Sequence, residues 1–144
     1  MEVTVAKSAG FCFGVKRAID TVYQEIEKGE QVFTLGPIIH NEQVVQELAD
    51  KGVRVIHSLE ELADIKEGTV VIRSHGVSEK VIRQLEKYDI KIVDATCPFV
   101  SKIHRIVQEK YREGYRIVII GSRTHPEVEG INGWCGDSAA VLET

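Results

Sequence analysis

The sequence predicts an α/β protein made of repeated βαβ units around a mostly parallel sheet, and three observations predict it. Short Val- and Ile-rich runs alternate with amphipathic stretches along the whole chain. The runs are largely unbroken by polar residues, as strands buried on both faces are. Chemistry-bearing residues collect just after the runs, where ligands bind in open parallel sheets.

Strands are expected at residues 2–6, 31–35, 53–56, 69–73, 90–94 and 115–120, with a further one near 140–142. Val15, Ala18, Ile19, Val22 and Ile26 lie on one stripe of a helix that closes at Lys28-Gly29. Val44, Val45 and Leu48 mark a second helix, closed near Gly52, and Val81, Ile82 and Leu85 a third. Ile103, Ile106, Val107 and Tyr111 mark a fourth, stopped at Gly114. Strand–helix alternation of this kind requires right-handed crossovers. The clearest seam is Ala95-Thr96-Cys97-Pro98, where one βα series can end and another begin.

Composition narrows the function classes. The 144 residues are 43% hydrophobic and 28% charged, the balance of a globular protein with a core. Acidic side chains number 22 and basic ones 18, without a dense basic cluster, so nucleic acid is not an expected partner. The longest aliphatic run, residues 117–120, is far too short to span a bilayer, and no secretory signal opens the chain. Three cysteines in such a chain argue for thiols or metal ligands rather than disulfides, and a cytoplasmic location is expected.

The junctions after the strands carry the chemistry. They read Ala9-Gly10-Phe11-Cys12-Phe13-Gly14, Gly36-Pro37-Ile38-Ile39-His40-Asn41, Ser74-His75-Gly76, Ala95-Thr96-Cys97-Pro98 and Gly121-Ser122-Arg123-Thr124-His125-Pro126-Glu127. Each holds a Cys or a His at the same structural level. Cys12 sits between glycines that admit a bulky ligand, and Cys97 lies between Thr96, an expected N-cap, and Pro98. The positive end of a helix favours the thiolate, the metal-binding form. His40, His75 and His125 lie near helix N-termini, which suit an anion such as a diphosphate. No Walker loop or dinucleotide fingerprint is present, which disfavours ATP and NAD. Glu127 is the carboxylate near these groups suited to proton transfer, with a first-turn acid favoured by the helix dipole as its bland reading. Asp94 reads as structural, His57 as a surface or core-satisfied ring, His104 as a residue on a solvated helix face, and Cys135 as core filler.

The strings AGFCFGVKRAI, GPIIHNEQVV, IRSHGV, VDATCPFV and HPEVEGINGW resemble the 4-hydroxy-3-methylbut-2-enyl diphosphate reductase family, in order, over essentially the whole chain. The resemblance implies an iron–sulfur enzyme of non-mevalonate isoprenoid biosynthesis. Such an enzyme removes the allylic hydroxyl of its diphosphate substrate with two electrons and two protons, giving isopentenyl and dimethylallyl diphosphates. It implies Cys12 and Cys97 as two of three thiolate ligands of a [4Fe-4S] cluster. It likewise implies His40, His75 and His125 as substrate-binding residues and Glu127 as the proton donor. A small-molecule diphosphate and an electron donor such as ferredoxin or flavodoxin are the implied partners.

The family has three α/β lobes. This chain is expected to supply an N-terminal strand (residues 1–12) that packs with the third lobe, one complete lobe (13–96) and part of a second (97–144). The third cysteine is expected beyond this chain, since Cys135 does not match it, and an N-terminal fragment of this kind is expected to be inactive alone. The competing readings are non-catalytic α/β modules that hold zinc through Cys12, Cys97 and a histidine, or phosphate alone.

Overall fold

A computed structural model describes residues 2–143. Helix α1 (Phe13–Glu27) precedes β1 (Val32–Leu35), followed by α2 (Glu42–Asp50), β2 (Arg54–Ile56), a 3-10 turn (Glu60–Asp64) and β3 (Thr69–Ile72). The chain continues through α3 (Glu79–Leu85), β4 (Lys91–Asp94), α4 (Pro98–Arg112), β5 (Val118–Ile120), α5 (Pro126–Gly133) and β6 (Ala140–Leu142).

Four strands form one sheet in the order β2-β1-β3-β4, all parallel, with Leu35 level with Ile56 and Ile72, and Ile72 level with Asp94. β5 and β6 pair parallel in a second, two-stranded sheet. In the larger sheet Val32 and Val71 face α1 and α2, packing with Ala18, Val22 and Leu48. Phe33, Leu35, Val70 and Ile72 face the other way, against Leu62 of the 3-10 turn and Leu85 of α3. Both faces are covered, which is why β1 and β3 are buried along their whole length and read as unbroken apolar runs.

From β1 the chain moves outward to β2, then returns past β1 to form β3 and β4. The helices that follow β1 and β3 therefore lie on opposite faces, and in open parallel sheets such a reversal defines a ligand crevice outside the carboxyl ends of the two strands. An ion cluster around the buried Glu25 ties α1 to the outer strand. Glu25 is 4% exposed and accepts from Lys28 at 2.5 Å and from Lys91 of β4 at 2.6 Å.

The structure corrects four expectations. Residues 2–6 form no strand: among the described residues no partner strand lies beside them, and Val3 and Val5 stay exposed. Only Val118–Ile120 of the run 115–120 is strand, because its partner β6 is three residues long. The N-cap of α4 is Cys97, not Thr96, whose N–H is held by the Asp94 carboxylate at 2.8 Å.

The fourth correction concerns α4. His104 is buried, at 5% exposure, whereas Phe99, Ile103 and Ile106 stand out to solvent. Helix α4 packs through His104 and Val107, and no described element covers its more apolar side. The His104 ring stacks on Trp134 at 5.4 Å and 21°.

Candidate functional site

Backbone hydrogen bonds continue the parallel ladder past the strand ends and lock three junctions together. Ser74 N–H donates to Ile38 O at 3.1 Å, Ala95 N–H to Ile72 O at 3.1 Å and Cys97 N–H to Ser74 O at 2.9 Å. The segments carrying His40, His75 and Cys97 are thus fixed relative to one another by main chain.

Helix α5 closes the arrangement. A Cβ at Gly133 would overlap Ser78 at the start of α3, and a Cβ at Gly130 would lie 3.7 Å from His75 O. Trp134 Nε1 donates to Val77 O at 2.9 Å. The approach to Ser78 requires the missing side chain of Gly133, and this packing brings the first turn of α5 to the crevice.

His40 from the β1 junction, His75 from the β3 junction and His125 at the N-cap of α5 meet there. The ring centroids of His40 and His75 are 4.2 Å apart, those of His40 and His125 5.7 Å, and those of His75 and His125 6.2 Å. His40 and His125 are exposed, while His75 is 9% exposed. Burial, together with the nearby charges of His40, Arg73 and His125, pushes the His75 pKa down to about 4, so its ring is neutral near pH 7. His125 Nδ1 accepts from Glu127 N–H at 3.2 Å, which assigns the proton of a neutral ring to Nε2. The cluster is one of imidazole N–H donors on a rigid frame, suited to an oxyanion.

Glu127, second residue of α5, is half-buried, and its carboxylate has no ion pair or hydrogen bond among the described residues. Cys12 is the exposed N-cap of α1 and Cys97 the half-buried N-cap of α4; neither side chain caps its helix, and both are free thiols. The Cys97 sulfur fills the space left by the missing side chain of Gly14, two residues past Cys12, so both cysteines belong to one locality. Cys135 is apart from them. It is fully buried and donates to Asn132 O at 3.2 Å, and burial pushes its pKa up.

Sequence reasoning missed two residues that hold the site. Arg17 of α1 donates to Thr96 O at 2.9 Å and to Asp94 O at 3.4 Å, pinning the helix that starts at Cys12 to the junction carrying Cys97. Trp134 anchors α5 to the His75 junction. Its signal was the single tryptophan beside two glycines, which marks close packing rather than a loop.

Among the described residues no three His, Cys, Asp or Glu are arranged to hold a metal ion, so the zinc reading has no complete ligand set here. No helix is long and apolar enough to cross a membrane.

The chain is similar in sequence and in fold to known proteins. The chain is 54% identical over its full length to the 4-hydroxy-3-methylbut-2-enyl diphosphate reductase of Thermoanaerobacter sp. (strain X514), covering 51% of that protein. It is 45% identical to the reductase of Clostridioides difficile (strain 630), again covering 51%. The solved structure of E-1-hydroxy-2-methyl-but-2-enyl-4-diphosphate reductase from Plasmodium falciparum superposes with a TM-score of 0.87 at 31% identity, over 94% of this chain and 42% of that one. A second solved structure, (E)-4-hydroxy-3-methyl-but-2-enyl diphosphate reductase, the terminal enzyme of the non-mevalonate pathway, gives 0.80 at 43% identity, over 99% and 51%. The chain spans about half the length of the curated relatives it matches. The LytB protein family model matches residues 3–144, and the chain belongs to that family.

Proposed function

We propose that this chain forms one part of the active site of a 4-hydroxy-3-methylbut-2-enyl diphosphate reductase. The observation that carries the reading is the meeting of His40, His75 and His125, from three separate junctions, within 4.2–6.2 Å. Three N–H donors in a crevice at strand ends bind the diphosphate of the substrate. A charge-assisted hydrogen bond of this kind contributes about 1.5–3 kcal/mol.

Cys12 and Cys97 fit a [4Fe-4S] cluster as two of its ligands, since both thiols are unbonded, sit at helix N-termini and share one locality. The third thiolate comes from outside this chain. When bound, the cluster supplies electrons, taken from a donor of the ferredoxin or flavodoxin kind, and a Lewis-acidic iron beside the substrate hydroxyl. In balance, two electrons and two protons replace the allylic C–O bond by a C–H bond: one proton leaves with the hydroxyl oxygen as water, and the other is added to carbon of the allyl fragment. Glu127 is the proton source: its carboxyl is unpaired among the described residues and starts the same helix turn that presents His125.

The lobes run 13–96 and 97–144, with residues 1–12 as an arm. The uncovered side of α4 at Phe99, Ile103 and Ile106, and the exposed Val3 and Val5, fit surfaces packed against further lobes in proteins twice this length.

Titration with inorganic pyrophosphate tests the binding part of the reading. His40→Ala and His125→Ala, both at exposed positions, should each weaken binding about tenfold. Unchanged affinity in both variants contradicts the assignment.

A further inference from the structure

Helix α4 opens at Cys97 and, further along, sends the ring of His104 into the interior, where it is 5% exposed. The Cε1–Nε2 edge of that ring meets two backbones. A Cβ at Gly76, the residue after His75, would come within 2.7 Å of Cε1. A Cβ at Gly130 of α5 would lie 3.4 Å from Nε2 and 3.7 Å from His75 O. Gly76 has φ +69°, so a side chain there is strained as well as obstructed. The ring also stacks on Trp134, with centroids 5.4 Å apart and planes at 21°. Nε2 is buried with no hydrogen-bond partner among the described residues, so shape and stacking hold this edge rather than a polar contact.

The two backbones that this ring separates carry two of the three clustered imidazoles. Gly76 N–H donates to Arg73 O at 3.0 Å and closes the tight turn that holds His75. His125 O accepts from Glu129 N–H at 3.0 Å, so the N-cap is bound into α5 and moves with Gly130. Two other ties join α5 to the same junction: Gly133 packs on Ser78, and Trp134 Nε1 donates to Val77 O. Both lie further along the chain from His125 than Gly130 does. The His104 ring thus fills the gap between the His75 turn and the part of α5 nearer to His125.

Resting on the reading of the clustered histidines as a diphosphate site, we propose that His104 is a positioning residue for that site, a flat spacer that sets the distance between the His75 and His125 rings. Those rings stand 6.2 Å apart. In a close-packed interior a change in a spacer is passed to the backbones that rest on it. A side chain too thick for the gap pushes α5 away from the His75 turn, and the two imidazoles no longer reach one anion together. His104 itself touches no ligand.

Equilibrium titration with inorganic pyrophosphate, run beside denaturant unfolding of each variant, separates positioning from core filling. Leu and Phe are both apolar, but Leu is branched where Phe is flat. Folded His104→Leu should bind roughly tenfold more weakly, the loss of about one hydrogen bond to the anion. His104→Phe keeps a flat ring on Trp134 and should stay within about threefold of wild type. A residue that only fills the core changes stability and leaves the affinity of the folded protein alone. Wild-type affinity in folded His104→Leu, with His125→Ala weakened, therefore overturns the proposal and leaves the histidine reading standing. Equal weakening by Leu and Phe also overturns it, because the flat shape is then not what matters. If His40→Ala, His125→Ala and His104→Leu all bind as wild type does, the histidine reading fails with it. Where His104→Leu does not fold, Trp134→Leu removes the face on which the ring stacks and should weaken binding by a similar factor. Wild-type affinity in that variant counts equally against the proposal.

Discussion

Cys97 is seated where Gly14 has no side chain: a Cβ at position 14 would overlap the Cys97 sulfur and lie 2.9 Å from its Cβ. Gly14 sits in the first turn of α1, just after Cys12, and Cys97 opens α4. One small residue therefore sets how closely two cysteines, far apart in sequence, approach.

Gly14→Ala should cost about 1–3 kcal/mol of stability by overpacking, read from denaturant midpoints. Cys97→Ala should relieve most of that cost, giving a coupling energy in a double-mutant cycle. Independent, additive effects would show that the two residues do not share the space.

The thiols should differ in their dependence on iron. The test uses a chimera in which this chain replaces the matching half of the Thermoanaerobacter reductase, reconstituted anaerobically with iron and sulfide. Cys12→Ser and Cys97→Ser should each lose most bound iron, because a hydroxyl replaces a soft thiolate. Cys135→Ser should keep it, since that sulfur is buried on the Asn132 carbonyl. Full iron content in the Cys97 variant would remove that residue from the ligand set.

Stability should fall as pH falls between about 6.5 and about 4. Burial, helped at His75 by its charged neighbours, holds His75 and His104 at pKa values of about 4, below the unfolded value of 6.5. In that window the unfolded chain binds protons that the folded chain refuses. The stability contributed by the two neutral rings is complete above pH 6.5 and is lost as pH falls toward 4. Each histidine contributes up to about 1.4 kcal/mol per pH unit. His104→Phe, which can still stack on Trp134, should remove about half the slope of unfolding free energy against pH. A flat profile from pH 6.5 to 4.5 would contradict the burial of both rings.

Much of this was legible in the sequence, for a physical reason. Strands β1 and β3 are buried on both faces, so their apolar runs had no competing reading, and the placement of His40 and His75 after them follows from sheet topology. Helix α4 misled for the opposite reason. Ile103 and Ile106 are apolar but uncovered, and His104 is polar but inside, so periodicity gave the helix without the face. Arg17 could not be read at all: its role depends on meeting carbonyls 77 and 79 residues away.

Glu127→Gln in the same chimera separates proton delivery from binding. Turnover should drop roughly a hundredfold or more while pyrophosphate affinity is kept. Normal turnover would assign the proton to another group.

The most direct measurement is reductase turnover by that chimera, with a strong artificial reductant under anaerobic conditions, set beside residues 1–144 alone treated identically. The chimera is expected to convert 4-hydroxy-3-methylbut-2-enyl diphosphate to isopentenyl and dimethylallyl diphosphates, and the 144-residue chain is not, because on the proposed assignment Cys12 and Cys97 are two of three cluster thiolates. A folded, iron-loaded chimera without turnover would contradict the assignment of Cys12, Cys97, the three histidines and Glu127 to one active site. Steady turnover by the 144-residue chain alone would contradict its division among lobes.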